Sequence, residues 1–318
     1  MSYFLQRDVV LCTCIHRDDG NMTSSDESSC DGSCGSCSEH GTCTDPKAQD
    51  KTPTRLGRIK HKIVVGSGKG GVGKSTVTVN LAVALKRRGY SVGILDADIT
   101  GPNIPKLLGI DDRRLTSGPE GIEPAVAEGI KVVSMALLLE DRDAAVVWRG
   151  PMKMAAIKQF LEGVNWGVLD FMLVDLPPGT SDEPISVIQL LPDLEGAIVV
   201  TTPQELALLD SRKAINMFLA MNVPLIGIVE NMSGLRCPHC GQVIELFKVD
   251  GGKNAAGDMG AHFLGAVPLE ADIGALGDRG VTFTGRETVA GRAFEKIVSE
   301  VLMRIGVPRA VDAILTEA

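Results

Sequence analysis

Gly66-Ser67-Gly68-Lys69-Gly70-Gly71-Val72-Gly73-Lys74-Ser75-Thr76 decides how this chain is read. The apolar run Ile63-Val64-Val65 before it reads as a buried strand. A helical pattern follows from Lys74 to Arg88 and stops at Gly89, a residue suited to the left-handed end of a helix. Strand, glycine loop, helix is the setting a phosphate-binding loop requires. Residues Gly68 to Ser75 fit G-x-x-x-x-G-K-[ST] without a gap. The glycines let the backbone curl so that successive N–H groups point inward at phosphate oxygens, and the helix N-terminus adds its positive dipole end. Lys74 would reach the β and γ phosphates, and the Ser75 hydroxyl would hold Mg²⁺. Gly66, Gly68 and Gly71 also fit a dinucleotide fingerprint with Asp96 further on, but that pattern has no use for a Lys-Ser pair opening the helix.

Composition narrows the setting. The 318 residues permit one large α/β domain and a small extra segment, expected as residues 61–318 and 1–60. Aromatics make up only 4% while aliphatics abound, as in a mostly parallel sheet with helices on both faces. A net charge of -8 argues against a nucleic-acid binder held by phosphate contacts. No apolar run reaches membrane-spanning length, and no long apolar leader opens the chain, so a cytoplasmic protein without a membrane partner is expected. In that compartment eight cysteines point to metal or redox chemistry rather than disulfides.

Residues 1–21 are either a genuine tail or an upstream extension, with Met22 as the true start. Residues 22–60 are rich in Ser, Gly, Asp and Cys, have little to bury, and are expected to be largely disordered. Cys30, Cys34, Cys37 and Cys43 lie there. Four thiolates in so flexible a stretch could wrap a [4Fe–4S] cluster or a zinc ion. Arg55, Arg58, Lys60 and Lys62 read as a solvated basic linker.

Beyond the glycine loop, Ser91 to Leu95 reads as a strand delivering Asp96 and Asp98 at its carboxyl end, where ligands of open parallel sheets bind. Asp98 is the better candidate to polarise the attacking water, Asp96 a cap for the loop. Residues 110–130 read as a surface excursion. Arg149 precedes a helix and reads as a phosphate or partner contact, or a surface salt bridge. The strand Phe171-Met172-Leu173-Val174 ends in Asp175, the form of a Walker B carboxylate, and Gly179 could swing its N–H toward a γ phosphate. Thr180 with Glu183, and Thr202 with Glu205, read as helix caps. Asn231 ends another buried strand, where an amide could read adenine. Cys237-Pro238-His239-Cys240 follows. It offers two thiolates where a stable site needs four, so the rest would come from a second copy of the chain or from the N-terminal cysteines. A redox dithiol is a third reading.

Together these stretches resemble a known family. The loop with its extra Lys69 looks like the deviant Walker A of SIMIBI-class P-loop ATPases. Asp96-Ala97-Asp98-Ile99-Thr100-Gly101-Pro102-Asn103, Trp148-Arg149-Gly150-Pro151, Asp175-Leu176-Pro177-Pro178-Gly179-Thr180 and Glu230-Asn231-Met232-Ser233 before Cys237-x-x-Cys240 resemble Mrp/ApbC/Nbp-type iron–sulfur cluster carriers over roughly residues 55 to 305. The resemblance implies a homodimer in which Lys69 reaches the partner's nucleotide and Cys237 and Cys240 of both subunits share a bridging [4Fe–4S] cluster. The Nbp branch also carries an N-terminal site; Cys34, Cys37 and Cys43 match three of its ligands, but Gly20 stands where the fourth belongs, with Cys30 the nearest substitute. The expected activity is ATP hydrolysis coupled to transfer of the cluster to apo-proteins. Lys74 and Lys69 would neutralise phosphate, Ser75 and Asp175 would serve Mg²⁺, and Asp98 would position water. A ParA/MinD-like positioning ATPase, a zinc-regulated nucleotide-binding module and a nitrogenase-reductase-like electron donor are the rivals.

Overall fold

The structure, a computed structural model, describes residues 55–139, 141, 148–237, 240, 242–244 and 249–308. The chain divides into Met1–Thr52 and Pro53–Ala318. Everything expected of the first unit, including Cys30, Cys34, Cys37, Cys43 and the start at Met22, lies outside the described residues.

The strands are β1 (Ile59–Gly66), β2 (Val92–Asp96), β3 (Thr116–Gly118), β4 (Gly121–Glu123), β5 (Ala125–Ala127), β6 (Ile130–Ser134), β7 (Leu169–Asp175), β8 (Gly196–Thr201), β9 (Leu225–Glu230), β10 (Leu235–Arg236), β11 (Val243–Ile244) and β12 (Phe263–Ala266). The helices are α1 (Lys74–Arg87), α2 (Ile104–Leu107), α3 (Gly150–Glu162), α4 (Asp182–Gln189), α5 (Glu205–Ala220), α6 (Gly251–Asp258), α7 (Ala271–Asp278) and α8 (Val289–Arg304). Eight strands form one sheet in the order β12-β9-β8-β1-β7-β2-β6-β5. Every pairing in it is parallel except that of β5 with β6.

Strand alternation explains the layers, because successive side chains point to opposite faces. Ile63 and Val65 pack into one apolar core and Val64 into another; Leu173, Ile198 and Val200 join the first, Val174 and Val199 the second. Helices α1 and α8 cover the first face through Leu81, Leu85, Phe294 and Val298. Helices α3 and α5 cover the second through Phe160, Leu161, Ile215 and Phe218. Both faces are dry, so the central strands read as unbroken apolar runs.

Several expectations shift. The basic linker is not one: Arg55–Arg58 forms a 3₁₀ turn, while Lys60 and Lys62 belong to β1, with Lys62 buried. The expected boundary after residue 60 therefore falls inside a strand. The excursion at 110–130 holds the β3–β4 hairpin and the edge strand β5. Thr180 caps nothing, since α4 starts after Ser181, and Glu183 instead pairs with Lys153 at 2.6 Å. Thr202 is likewise no cap: α5 starts after Gln204, and the buried Thr202 hydroxyl has no hydrogen-bond partner among the described residues. Helix α6 went unread, because Gly251-Gly252-Lys253-Asn254 looks like a loop.

One surface network stitches the amino ends of β1, β2 and β7. Lys60 Nζ lies 2.7 Å from Asp170 Oδ1, and the Ser91 N–H and hydroxyl donate to Oδ2 at 2.9 and 2.7 Å. The Lys60 bond first, then the Ser91 N–H, lower the Asp170 carboxyl from 3.8 to about 2. A carboxyl depressed in the fold contributes stability above its unfolded value, and that contribution fades as pH falls toward the folded one. Asp170→Asn should therefore cost roughly 1 kcal/mol at neutral pH, modest because Lys60 is exposed. In urea denaturation the gap to wild type should shrink as pH is lowered through the carboxylate range; a gap independent of pH would refute this.

Candidate functional site

The loop between β1 and α1 sits at the carboxyl edge of the sheet, beside the ends of β2, β7, β8 and β9. Val72 is buried at its centre, and Gly70 and Gly71 are exposed. Gly73 stands at φ 85, and a Cβ there would fall 2.1 Å from Asn231 Nδ2. Only glycine fits both the left-handed backbone and that approach. Gly68 is as crowded, with the Asp210 carbonyl carbon 2.1 Å from an added Cβ, so α5 packs directly on the loop. Thr76 lies in the first turn of α1, where its carbonyl accepts from Asn80.

Asp175 gathers the loop's functional side chains. Its carboxylate is fully buried. Oδ2 accepts from Lys74 Nζ at 2.7 Å and from the Ser75 hydroxyl at 2.6 Å, and the Thr78 hydroxyl lies 2.7 Å from Oδ1. Thr78 stands four residues after Lys74 and three after Ser75, so it neighbours both on the surface of α1. Thr78 escaped the sequence reading, although its position one turn beyond Lys74 carried the signal.

Asp96 lies beside Asp175 in the sheet register. It is fully buried and accepts from the Ser134 hydroxyl at 2.9 Å and from the N–H groups of Asp98 and Ile104, both at 3.3 Å. Burial first, and the nearby Asp175 second, push its carboxyl well above the usual range. Asp96 thus caps the loop that follows β2. Asp98 is only half-buried at the edge of the site and accepts from the Gly101 N–H at 3.1 Å and the Thr100 hydroxyl at 3.2 Å. Burial raises its carboxyl too, against the lowering influence of Lys74.

Two contacts tie neighbouring segments to the loop. The Gly179 N–H donates to Ser67 O at 2.9 Å, so it is engaged rather than turned outward. Asn231 Nδ2 donates to Val72 O at 3.0 Å, so in this state its amide holds the loop. Lys69 is half-buried, and its ammonium has no acceptor among the described residues. Arg149 is exposed just before α3.

The cysteines are carried by a different element. Strands β10 and β11 pair antiparallel, and the Cys237 N–H donates to Gln242 O at 2.8 Å. Cys237 therefore extends the β10–β11 pairing and is half-buried, and Cys240, between the two strands in the chain, is exposed. Pro238 and His239 lie outside the described residues. Among the described residues no three His, Cys, Asp or Glu side chains gather as a metal site, and no helix is long and apolar enough to cross a membrane.

Breaking the Lys74–Asp175 pair from one side leaves a buried charge without its partner. Lys74→Ala should lower the stability of the nucleotide-free protein by about 3–5 kcal/mol. The double variant Lys74→Met, Asp175→Leu should lose clearly less than the sum of the Lys74→Met and Asp175→Leu single changes, read as a double-mutant cycle in denaturant. Strict additivity would show that the contact is not formed in solution.

Known proteins resemble this chain over most of its length. A family model described as ParA: NUBPL iron-transfer P-loop NTPase matches residues 58–302. A protein of Methanocaldococcus jannaschii named iron-sulfur cluster carrier protein is 48% identical over 282 residues, covering 87% of this chain and 97% of its own. A protein of Dictyostelium discoideum named cytosolic Fe-S cluster assembly factor NUBP2 homolog is 46% identical over 233 residues, covering 72% and 88%. Among solved structures, a nucleotide-binding protein of Archaeoglobus fulgidus in complex with ADP superposes with a TM-score of 0.64 at 42% identity, covering 71% of this chain and 88% of the other. With the phosphate loop, the buried Asp175 and the cysteine hairpin all within the matched stretch, this chain belongs to the NUBPL iron-transfer P-loop NTPase family.

Proposed function

We propose that this protein is a cytoplasmic, ATP-hydrolysing carrier that assembles a [4Fe–4S] cluster and passes it to apo-proteins. The observation that carries the reading is the joining of two sites by one short segment. Asn231 touches the phosphate loop, and the hairpin bearing Cys237 and Cys240 begins a few residues later. The names of the Methanocaldococcus and Dictyostelium relatives support the cargo, and the latter's name supports the compartment. A positioning ATPase would have no use for the hairpin.

The cluster is cargo, and two thiolates per chain make half of a four-thiolate site. A homodimer closing on a two-fold axis would supply the other half. Lys69, half-buried and without an acceptor among the described residues, would then reach across to the partner's nucleotide. Such a cluster is held at an edge, where small subunit movements loosen it. Cys30, Cys34, Cys37 and Cys43 would form a second site.

The N–H groups of residues 68–76 would cradle the phosphates, with Asn231 at the adenine side. Lys74 would leave Asp175 for the β and γ phosphate oxygens, exchanging one anion for another. The Gly179 N–H would leave Ser67 O for the γ phosphate. Asp98, at the open edge of the site, would orient the attacking water. The converging Ser75 hydroxyl and Asp175 carboxylate, both hard oxygen donors, suit Mg²⁺ with its retained waters. When bound, that ion would neutralise phosphate charge.

Anaerobic reconstitution with iron and sulfide tests the cargo. Wild type should gain visible absorption and bound iron, and the Cys237→Ala, Cys240→Ala double variant should lose that of the bridging cluster while still binding ATP. Zinc in place of iron, or iron content untouched by the double change, would overturn the reading. Asp98→Asn should lower kcat by about 10²–10⁴-fold with nucleotide affinity retained. Because the ionised carboxylate is the active form and burial raises its pKa, wild-type hydrolysis should climb with pH through a value above 3.8. A residual Asp98→Asn activity with the same acid limb would assign that limb to another group.

A further inference from the structure

The three donors around the Asp175 carboxylate are not equivalent. Lys74 Nζ and the Ser75 hydroxyl both reach Oδ2, at 2.7 and 2.6 Å. Oδ1 has one donor among the described residues, the Thr78 hydroxyl at 2.7 Å. In the function proposed above, Lys74 exchanges Oδ2 for phosphate and Ser75 turns a lone pair to Mg²⁺. Thr78 lies deeper in α1 and is fully buried, so it does not face the open site. It is the one donor of the three that stays with the carboxylate.

The protons can be followed one by one. A threonine hydroxyl carries a single proton. Thr78 Oγ1 lies 3.0 Å from Lys74 O and 2.7 Å from Asp175 Oδ1. In an α-helix the N–H of residue 78 already serves the carbonyl of residue 74, so the shorter contact, to the charged acceptor, takes the hydroxyl proton. A hydroxyl that lends a lone pair to a cation keeps its own proton and needs an acceptor for it. For Ser75 that acceptor is Asp175 Oδ2. Where the Ser75 lone pairs point therefore follows from where Oδ2 stands. The last torsion of an aspartate side chain is broad and soft, so the bond at Oδ1 is what fixes the carboxylate plane. Val65 and Asp96, beside Asp175 in the sheet, give no donor to Oδ1.

We infer that Thr78 is a positioning residue for the divalent cation of the nucleotide site: acting through Asp175, it holds Oδ2 toward the Ser75 hydroxyl while Lys74 is engaged elsewhere. The inference rests on the nucleotide part of the reading above. Solvent cannot replace the hydroxyl, because the residue is closed off from it. Valine has the same shape but leaves Oδ1 a buried acceptor without a donor. The carboxylate then turns toward its remaining donors and no longer sets the direction of Ser75. The loop N–H groups and the Lys74 ammonium are not partners of Thr78, so nucleotide binding without a cation is untouched.

The test uses the full-length protein, with Mn²⁺ as the probe cation. ADP affinity is measured in EDTA by calorimetry. Mn²⁺ affinity of the ADP complex is read from the EPR signal of free Mn²⁺, with protein in excess so that all nucleotide is bound. Thr78→Val should weaken Mn²⁺ binding about tenfold, the size of one lost hydrogen bond to a charged group, and leave ADP affinity in EDTA within about twofold. Thr78→Ser, which keeps the hydroxyl, should restore Mn²⁺ affinity. Thr78→Ala and Thr78→Ser differ by the hydroxyl alone, so the same gap should separate them, and this pair serves if Thr78→Val fails to fold. Equal Mn²⁺ affinity in Thr78→Val and wild type overturns the inference. So does equal weakening in Thr78→Val and Thr78→Ser, which assigns the effect to packing. A parallel loss of ADP affinity in EDTA overturns it too, by assigning the effect to the loop. Neither iron nor turnover is read. A protein that behaves as expected here but takes up no cluster would sink the carrier reading and leave Thr78 in its role.

Discussion

A buried carboxylate with one ammonium and two hydroxyls around it organises this molecule. Asp175 ends a central strand, has no contact with water, and depends on Lys74, Ser75 and Thr78 to remain there. A charge so placed is tolerated only when paired and hydrogen-bonded. The same three residues open the helix after the phosphate loop, so the pairing fixes α1 against β7. It also holds the loop in place. Lys74 is thus the structural counter-ion of Asp175 here, and in the function proposed above it would exchange that carboxylate for phosphate.

The edge around Asp175 shows the same economy. Asp96 spends its carboxylate on Ser134, Asp98 and Ile104, pinning the loop on which Asp98 stands at the rim. Gly179 and Asn231 hold carbonyls of the loop, at Ser67 and Val72. The Gly179 N–H and the Asn231 amide are donors that a nucleotide, in the function proposed above, would compete for, while the apolar layers beneath take no part in these contacts. Those layers have Val64 facing one core and Ile63 and Val65 the other.

Local pattern sufficed wherever function follows from chain-adjacent residues. The phosphate loop needs its glycines and Lys74-Ser75 in one order, so the string from Gly66 to Thr76 announced strand, loop and helix together. The apolar runs leading to Asp96, to Asp175 and to Glu230-Asn231 announced parallel strands buried on both faces. Cys237-x-x-Cys240 announced two cysteines close in the chain, and both lie between the short strands β10 and β11.

Tertiary structure decided what depends on partners distant in the chain. Lys60 and Lys62 read as a solvated linker, yet pairing with β7 draws them into β1, where Asp170 answers Lys60. The capping patterns at Thr180 and Thr202 failed because packing set the helix starts beyond them. The strand order, the α6 helix built from a glycine-rich stretch, and the meeting of Glu230 with Gly252 could not be read locally. Each arises where two segments bury a common surface, and a one-dimensional string does not record which surfaces meet. The sequence by itself determined the chemistry available at each strand end; only the packing of those ends decided which groups share a charge, a proton or a carbonyl.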